Sequence, residues 1–259
     1  MVTIAHISDI HCSKTRHGRT GFKPEQLNAG LREVNKLNPD VVVITGDLTM
    51  FGFKEEYKMA RKYISRIESE TLIIPGNHDS RYCGYEYFDE YFGYGNISLK
   101  FPNISIIGID TTIPDLDEGN VGRGKLRWLI GNIKKMPKKN FKLVAMHHHL
   151  IPIPHTGRER ADITDGGTVL KAMINAGVHM VLCGHKHTPN TWLINNLAIV
   201  NAGSVSATKL RANTRNSYNI IEIENNSIDI YLKEIGRKPK PMANLTKTNF
   251  GSGLMFGDQ

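Results

Sequence analysis

Cysteine is scarce in this chain. Cys12, Cys83 and Cys183 are three in 259 residues, an odd number with no Cys-x-x-Cys pair. That argues against a disulfide framework and for a reducing compartment, so the expected location is cytoplasmic. Long apolar runs are missing too. None approaches the roughly 18 residues that a membrane span needs, and the chain does not open on a basic segment followed by an apolar one. Neither a membrane partner nor a secretory signal is expected. No period of about 20–50 residues recurs, which argues against a solenoid or propeller. Aromatics, 8% of residues, do not interleave with the basic clusters as a groove for single-stranded nucleic acid requires.

What is present is an ordinary globular balance of 40% hydrophobic and 22% charged residues, enough to bury a large core. The formal charge is +8, and the basic residues cluster. One group is Lys14, Arg16, Arg19 and Lys23. A second is Lys134, Lys135, Lys138, Lys139 and Lys142, and a third is Lys209, Arg211 and Arg215. A positive field attracts phosphates. The 134–142 group reads as solvated surface. The 14–23 group follows the first acidic motif and reads either as phosphate-facing or as solvated.

Apolar runs alternate with helical stretches. Val2–Ile7, Val41–Ile44 and Leu72–Ile74 read as strands. Leu27, Leu31, Val34 and Leu37 share one helix face, begun by Pro24 and stopped at Asn38-Pro39. Tyr57, Ala60, Ile64 and Ile67 mark a second helix. Residues 80–97, rich in Tyr, Phe and Gly, read as a loop with one helical turn. Further strands are expected at 104–109, 143–146 and 178–182, with helices around Leu126–Ile133 and Val169–Ile174. Only strands follow, near 191–195, 197–201, 218–224 and 227–232, the last two joined by an Asn225-Asn226 turn. One α/β domain holding two sheets, residues 1–236, is the expectation, with 237–259 as a tail. Met242, Leu245, Phe250, Leu254, Met255 and Phe256 either anchor that tail or meet a partner subunit.

Five motifs stand at the ends of these strands: Ser8-Asp9-Ile10-His11, Thr45-Gly46-Asp47, Gly76-Asn77-His78-Asp79, Met146-His147-His148-His149 and Gly184-His185-Lys186-His187. Loops leaving strand ends deliver side chains into one crevice. Alternate residues share a face where extended geometry persists, so Asp9 and His11 form a pair, as do His185 and His187. Carboxylate and imidazole suit Mn, Fe, Zn, Co or Ni, and the lack of thiolates argues against a closed structural zinc site. Gly46 and Gly184 permit the sharp turn and the close backbone approach that such loops need. Cys12 and Cys183, beside these motifs, read as apolar packing rather than as ligands. Asp79 and Asp110 are candidates for orienting imidazoles, with a turn-capping Asp79 as the alternative. His17, near the basic loop, reads as an exposed histidine with no role, with a phosphate contact as the alternative.

The order Asp-x-His, Gly-Asp, Gly-Asn-His-Asp, His, Gly-His-x-His resembles the calcineurin-like metallophosphoesterases over about residues 1–232. It is most similar to the small phosphodiesterases acting on cyclic nucleotides or glycerophosphodiesters. Gly124-Lys125-Leu126-Arg127-Trp128-Leu129 and Ser217-Tyr218-Asn219-Ile220-Ile221-Glu222 support it. The resemblance implies a four-layer α/β/β/α sandwich, two mixed sheets flanked by helices. It implies two divalent metals, one held by Asp9, His11 and His187, the other by Asn77, His147 and His185, with Asp47 bridging. Asn77 and His78 would contact substrate, and His78 would serve the leaving oxygen. Relatives often read His-His-Pro at 147–149, so His148 remains the alternative to His147. The implied reaction is hydrolysis of a small phosphodiester by a metal-bridging hydroxide. A nuclease, with nucleic acid as substrate, and a phosphomonoesterase are the alternatives, and a metal-free scaffold of the same fold is the non-enzymatic one. Leu48-Thr49-Met50-Phe51 replaces the acid and Arg-Gly that follow Gly-Asp in the family's Ser/Thr protein phosphatases, which argues against protein dephosphorylation. A homodimer is compatible with the resemblance.

Overall fold

The computed structural model describes residues 1–14, 21–157, 160, 162–224 and 227–246. Strand β1 (Val2–Ile7) leads to helix α1 (Pro24–Leu37), strand β2 (Val41–Thr45), helix α2 (Lys54–Ile64) and strand β3 (Glu70–Ile74). A 3-10 helix (Asn77–Ser80), helix α3 (Gly84–Phe92) and strand β4 (Ile97–Lys100) come next. They are followed by β5 (Ile104–Gly108), α4 (Gly122–Lys134), β6 (Phe141–Ala145), α5 (Gly166–Asn175) and β7 (Met180–Cys183). The remaining strands are β8 (Asn190–Ile194), β9 (Leu197–Asn201), β10 (Ser217–Ile223), β11 (Ser227–Glu234) and β12 (Lys240–Thr246).

Two six-stranded mixed sheets result, ordered β12-β11-β10-β1-β2-β3 and β4-β5-β6-β7-β9-β8. β1, β2 and β3 run parallel, as do β5, β6, β7 and β9. Such strands must be apolar on both faces. Val41 and Val43 face the second sheet across a core shared with Ile106, Leu143 and Leu182. Val42 and Ile44 face Leu27, Leu31, Val34 and Tyr57 of α1 and α2. On the far side Val144, Val181 and Ile199 pack against Leu129, Ile133, Val169 and Met173 of α4 and α5. These three cores separate four layers, α/β/β/α. Among the described residues no helix is long and apolar enough to cross a membrane.

Two stretches differ from expectation. Residues 80–97 contain the nine-residue helix α3, not a single turn, and β4 begins at Ile97. Aromatics crowd this segment, so no apolar stripe stands out in it. The helix is held by tertiary contact instead: Phe88 is buried, and Tyr87, Tyr91 and Phe92 pack their rings about Tyr57. After Arg237, Lys240–Thr246 adds an edge strand to β11, with a register shift at Ile230/Tyr231. Pro241 is tolerated there because an edge strand leaves one side unpaired. Leu245 is buried in the inter-sheet core, and Met242 packs against it. Phe250, Leu254, Met255 and Phe256 lie outside the described residues, as do Arg16, His17, Arg19 and the Asn225-Asn226 turn.

A polar plug ties the sheets together beneath the strand ends. Asn219 Nδ2 donates to His6 Nδ1 at 3.4 Å and to the Asn201 carbonyl at 3.1 Å, and His6 Nε2 meets the Thr45 hydroxyl at 2.9 Å. A second proton on His6 would oppose the Asn219 amide. Burial, partly countered by Asp9, lowers the His6 pKa to about 3, and burial likewise lowers His149 to about 4. His11 and His148 are lowered too, again first by burial. A depressed imidazole pKa gives stability that is present above the unfolded value of 6.5 and lost as pH falls. Asp79, pushed up to about 7 by burial and by Asp47, and His187, lowered by burial but raised overall by Asp9, work in the opposite sense, but the four lowered histidines outnumber them. The chelated protein is therefore expected to lose urea stability from about pH 6.5 toward about pH 4, at up to about 1.4 kcal/mol per pH unit per proton. His6→Gln should shallow that slope; an unchanged slope contradicts the assignment.

Candidate metal centre

The five motifs leave the C-terminal ends of β1, β2, β3, β6 and β7, and both sheets deliver them to one crevice. Backbone contacts lock the loops together. Asp9 and His11 donate their N–H groups to the carbonyls of Gly46 and Asp47, and Gly184 donates to His147. Extended geometry does not persist past the strand ends. Asp9, His11, Asp47, His185 and His187 all adopt left-handed φ, between 54° and 77°. The Asp9–His11 and His185–His187 pairs thus converge through tight left-handed turns rather than through strand alternation. Such turns cost about 1–2 kcal/mol per residue, less for Asp, and collect at functional sites. Gly46 also turns left-handed at φ +84°. Gly184 does not. Its role is close approach, since a Cβ there would stand 2.0 Å from Ser8 Oγ.

The side chains meet in two sets about Asp47. On one side His187 Nε2 lies 2.9 Å from His11 Nε2 and 3.3 Å from Asp9 Oδ1, and Asp47 Oδ2 is 3.5 Å from His11 Nε2. Donor atoms of Asp9, His11, Asp47 and His187 all fall within 4.8 Å of one another. On the other side Asn77 Oδ1 lies 3.1 Å from His147 Nε2 and 3.0 Å from His185 Nδ1, and Asp47 Oδ1 is 3.5 Å from His147 Nε2.

Hydrogen bonds behind these atoms decide which lone pairs face inward. His147 Nδ1 donates to the Thr45 carbonyl at 2.7 Å, His187 Nδ1 to the Lys209 carbonyl at 2.6 Å, and His185 Nε2 to Asp162 Oδ2 at 3.0 Å. Asn77 Nδ2 donates to Asp117 Oδ1 at 3.0 Å, which turns Oδ1 inward. Asn77 Oδ1, His147 Nε2 and His185 Nδ1 therefore converge as acceptors with no proton between them. Acceptors at such distances repel, and a bound cation is the natural way to reconcile them. The residues fit divalent metal ions.

Electrostatics agree. Burial pushes the Asp9 carboxyl up, and His187 overrides it, leaving Asp9 below the usual carboxylate range. Asp47 is likewise pushed up by burial and carried far below that range by His147, His78, His11 and His185. His78 stands beside the set, with its ring edge-on to His11 at 4.6 Å. Its N–H donates to Asp47 Oδ1 at 2.9 Å, and its Nδ1 to the Met50 carbonyl at 2.7 Å. Nε2 is the ring nitrogen left over, and His78 lines the cavity above the donors. His148 does not join them, because Thr111 holds its Nδ1 and the Asp117 carbonyl its Nε2. His149 Nε2 bonds the Arg160 carbonyl.

The supporting carboxylates differ from those expected. Asp79 accepts from the N–H groups of Leu48, Thr49 and Gly76 and from the Thr49 hydroxyl, and so caps a turn. Asp110 binds Thr112 N–H and Lys125. The imidazole and amide partners are instead Asp162 and Asp117, on loops with no periodic pattern to mark them. Asp162 also pairs with the buried Lys186 ammonium and with Arg160. Burial pushes Asp162 up, and the bonds from His185 and Lys186 carry it well below the carboxylate range. Cys12 and Cys183 are buried in apolar clusters, and burial raises both thiols.

The chain is 29% identical over 220 residues to a protein of Arcobacter nitrofigilis named as a probable glycerophosphodiester phosphodiesterase GpdQ, covering 78% of each. It is 26% identical to a 3′,5′-cyclic-nucleotide phosphodiesterase of Nostoc, over 72% of this chain and 71% of that one. Among solved structures, purple acid phosphatase from yellow lupin superposes with a TM-score of 0.75 at 13% identity. That match covers 95% of this chain and 53% of that structure, and shows a shared fold. The family model for calcineurin-like phosphoesterases matches residues 2–189, from the first strand through the last histidine motif, and the chain belongs to that family.

Proposed function

We propose that the protein is a binuclear metal-dependent phosphodiesterase acting on a small diester. The observation that carries this reading is the bridging geometry of Asp47. Its two carboxylate oxygens face two separate donor sets, Oδ2 that of Asp9, His11 and His187, Oδ1 that of Asn77, His147 and His185. Two divalent ions held there would supply Lewis-acid charge to lower the pKa of water and offset charge on the phosphoryl oxygens. The chain's own residues do the rest. His147, His185 and His187 are held in one tautomer by their outer hydrogen bonds. Asn77, with its oxygen beside His147 and His185, would help to hold one metal and would contact the substrate. His78, anchored through Nδ1, keeps Nε2 for the leaving oxygen. The relatives named for diesters favour a diester over a monoester.

The test is a panel with Mn or Zn restored to the chelated protein. Bis(p-nitrophenyl) phosphate, a cyclic nucleotide or glycerophosphoethanolamine should be hydrolysed faster than p-nitrophenyl phosphate or single-stranded DNA. Preference for the monoester or the DNA overturns the diester reading, and no metal uptake at all indicates a scaffold.

Asp162 gives a narrower check. A carboxylate behind a metal-binding imidazole raises its basicity and fixes its tautomer. Asp162→Asn should weaken metal affinity by about 10–100-fold, read by chelator competition. Undiminished affinity removes Asp162 from the site.

A further inference from the structure

We infer that the side of the cavity next to His78 is a nucleobase subsite, so that the preferred diester bears a purine or pyrimidine rather than glycerol alone. The inference rests on the metal-site reading above and names its substrate class. The cavity, about 980 Å³, is lined by the candidate donors His11, Asp47, Asn77, His185 and His187 and also by Phe51, Tyr82 and Leu116. Phe51, Phe53 and Tyr82 form a ladder of rings. Phe53 and Tyr82 stack at 5.4 Å and 21°, and Phe51 meets Phe53 at 5.9 Å and 31°. Phe51 directly follows Met50, whose carbonyl anchors His78. The aromatic ladder is thus joined to the residue assigned to the leaving oxygen.

Tyr82 is presented rather than left over. The residue is 61% exposed, while its backbone holds a left-handed φ of 52°, rare for a bulky residue. The conformation is fixed by Asp115 Oδ1, which accepts from Tyr82 N–H at 2.7 Å. Asp115 is itself left-handed at φ 62° and donates to the Ser80 carbonyl. A costly turn that exposes an aromatic ring at the mouth of a phosphate-binding cavity gains nothing for the core. It makes sense if the ring meets a flat apolar ligand. Bases stack on aromatic rings irrespective of their identity, whereas glycerol diesters offer no flat face.

The probes are AMP and ribose 5-phosphate, which differ in the base, titrated calorimetrically into the Mn-loaded protein. AMP is expected to bind about tenfold or more tighter. Tyr82→Ala should bring the two within about threefold, Phe51→Ala should move the ratio the same way, and Tyr82→Phe should keep it. Equal affinities in the parent protein, undetectable AMP binding, or an unchanged ratio in Tyr82→Ala overturn the subsite. So does a Tyr82→Ala protein that keeps the ratio but changes from dimer to monomer, which makes the ladder a subunit contact. If AMP is preferred yet no diester is hydrolysed, the catalytic reading fails and the subsite stands.

Discussion

Asp47→Ala is expected to empty both metal positions at once and to lower bis(p-nitrophenyl) phosphate hydrolysis by at least about 10²–10³-fold, the cost of removing one electrostatic stabiliser. Each of the other candidate donors faces one set only. Asp47 faces both, with Oδ2 near His11 and Oδ1 near His147. Its removal also takes the acceptor away from His78 N–H, which then has only water to bond. The surrounding histidines hold Asp47 far below the usual carboxylate range, and its loss removes the one carboxylate that both donor sets share. The discriminating control is His11→Ala, which should spare the set built on Asn77, His147 and His185. Metal content after dialysis separates the cases. Equal, partial losses in both variants would show that Asp47 does not bridge.

His78→Ala should do the converse. Metal content stays near that of the parent protein, and turnover falls by about 10²–10⁴-fold, the usual worth of a positioned general acid. The ring is close to His11 but is tied to the protein through Met50 and Asp47, so its loss leaves the seven candidate donors in place. The size of the effect should follow the leaving group. A p-nitrophenolate needs little protonation and should suffer least, an alkoxide most. A loss equal for both substrates assigns His78 to binding the phosphoryl group rather than to proton transfer.

Much of this architecture was legible because parallel strands buried on both faces leave apolar runs such as Val41–Ile44, and because those runs end in residues chemically unlike them. The seven donor candidates stand out for that reason. The choice of His147 over His148 was open in sequence, since both follow the same strand. Space separates them: His147 reaches Asn77, while Thr111 and the Asp117 carbonyl occupy both nitrogens of His148. Asp162 and Asp117 were invisible for another reason. A carboxylate on an irregular loop carries no period, and its partner lies 23 residues away in one case and 40 in the other. Helix α3 was hidden by composition, and β12 by the prolines and lysines that suit an edge.

Gly184 shows why a tally of ligands is not enough to judge such a chain. The loop after β7 lies so near the loops after β1 and β2 that a single added carbon would press on Ser8 Oγ, on Asp9 Oδ2 and on the Thr45 carbonyl. That carbonyl takes the Nδ1 proton of His147. A related sequence could therefore keep every acid, amide and imidazole of the pattern and still be inert, through one methyl group at a position that touches no ion.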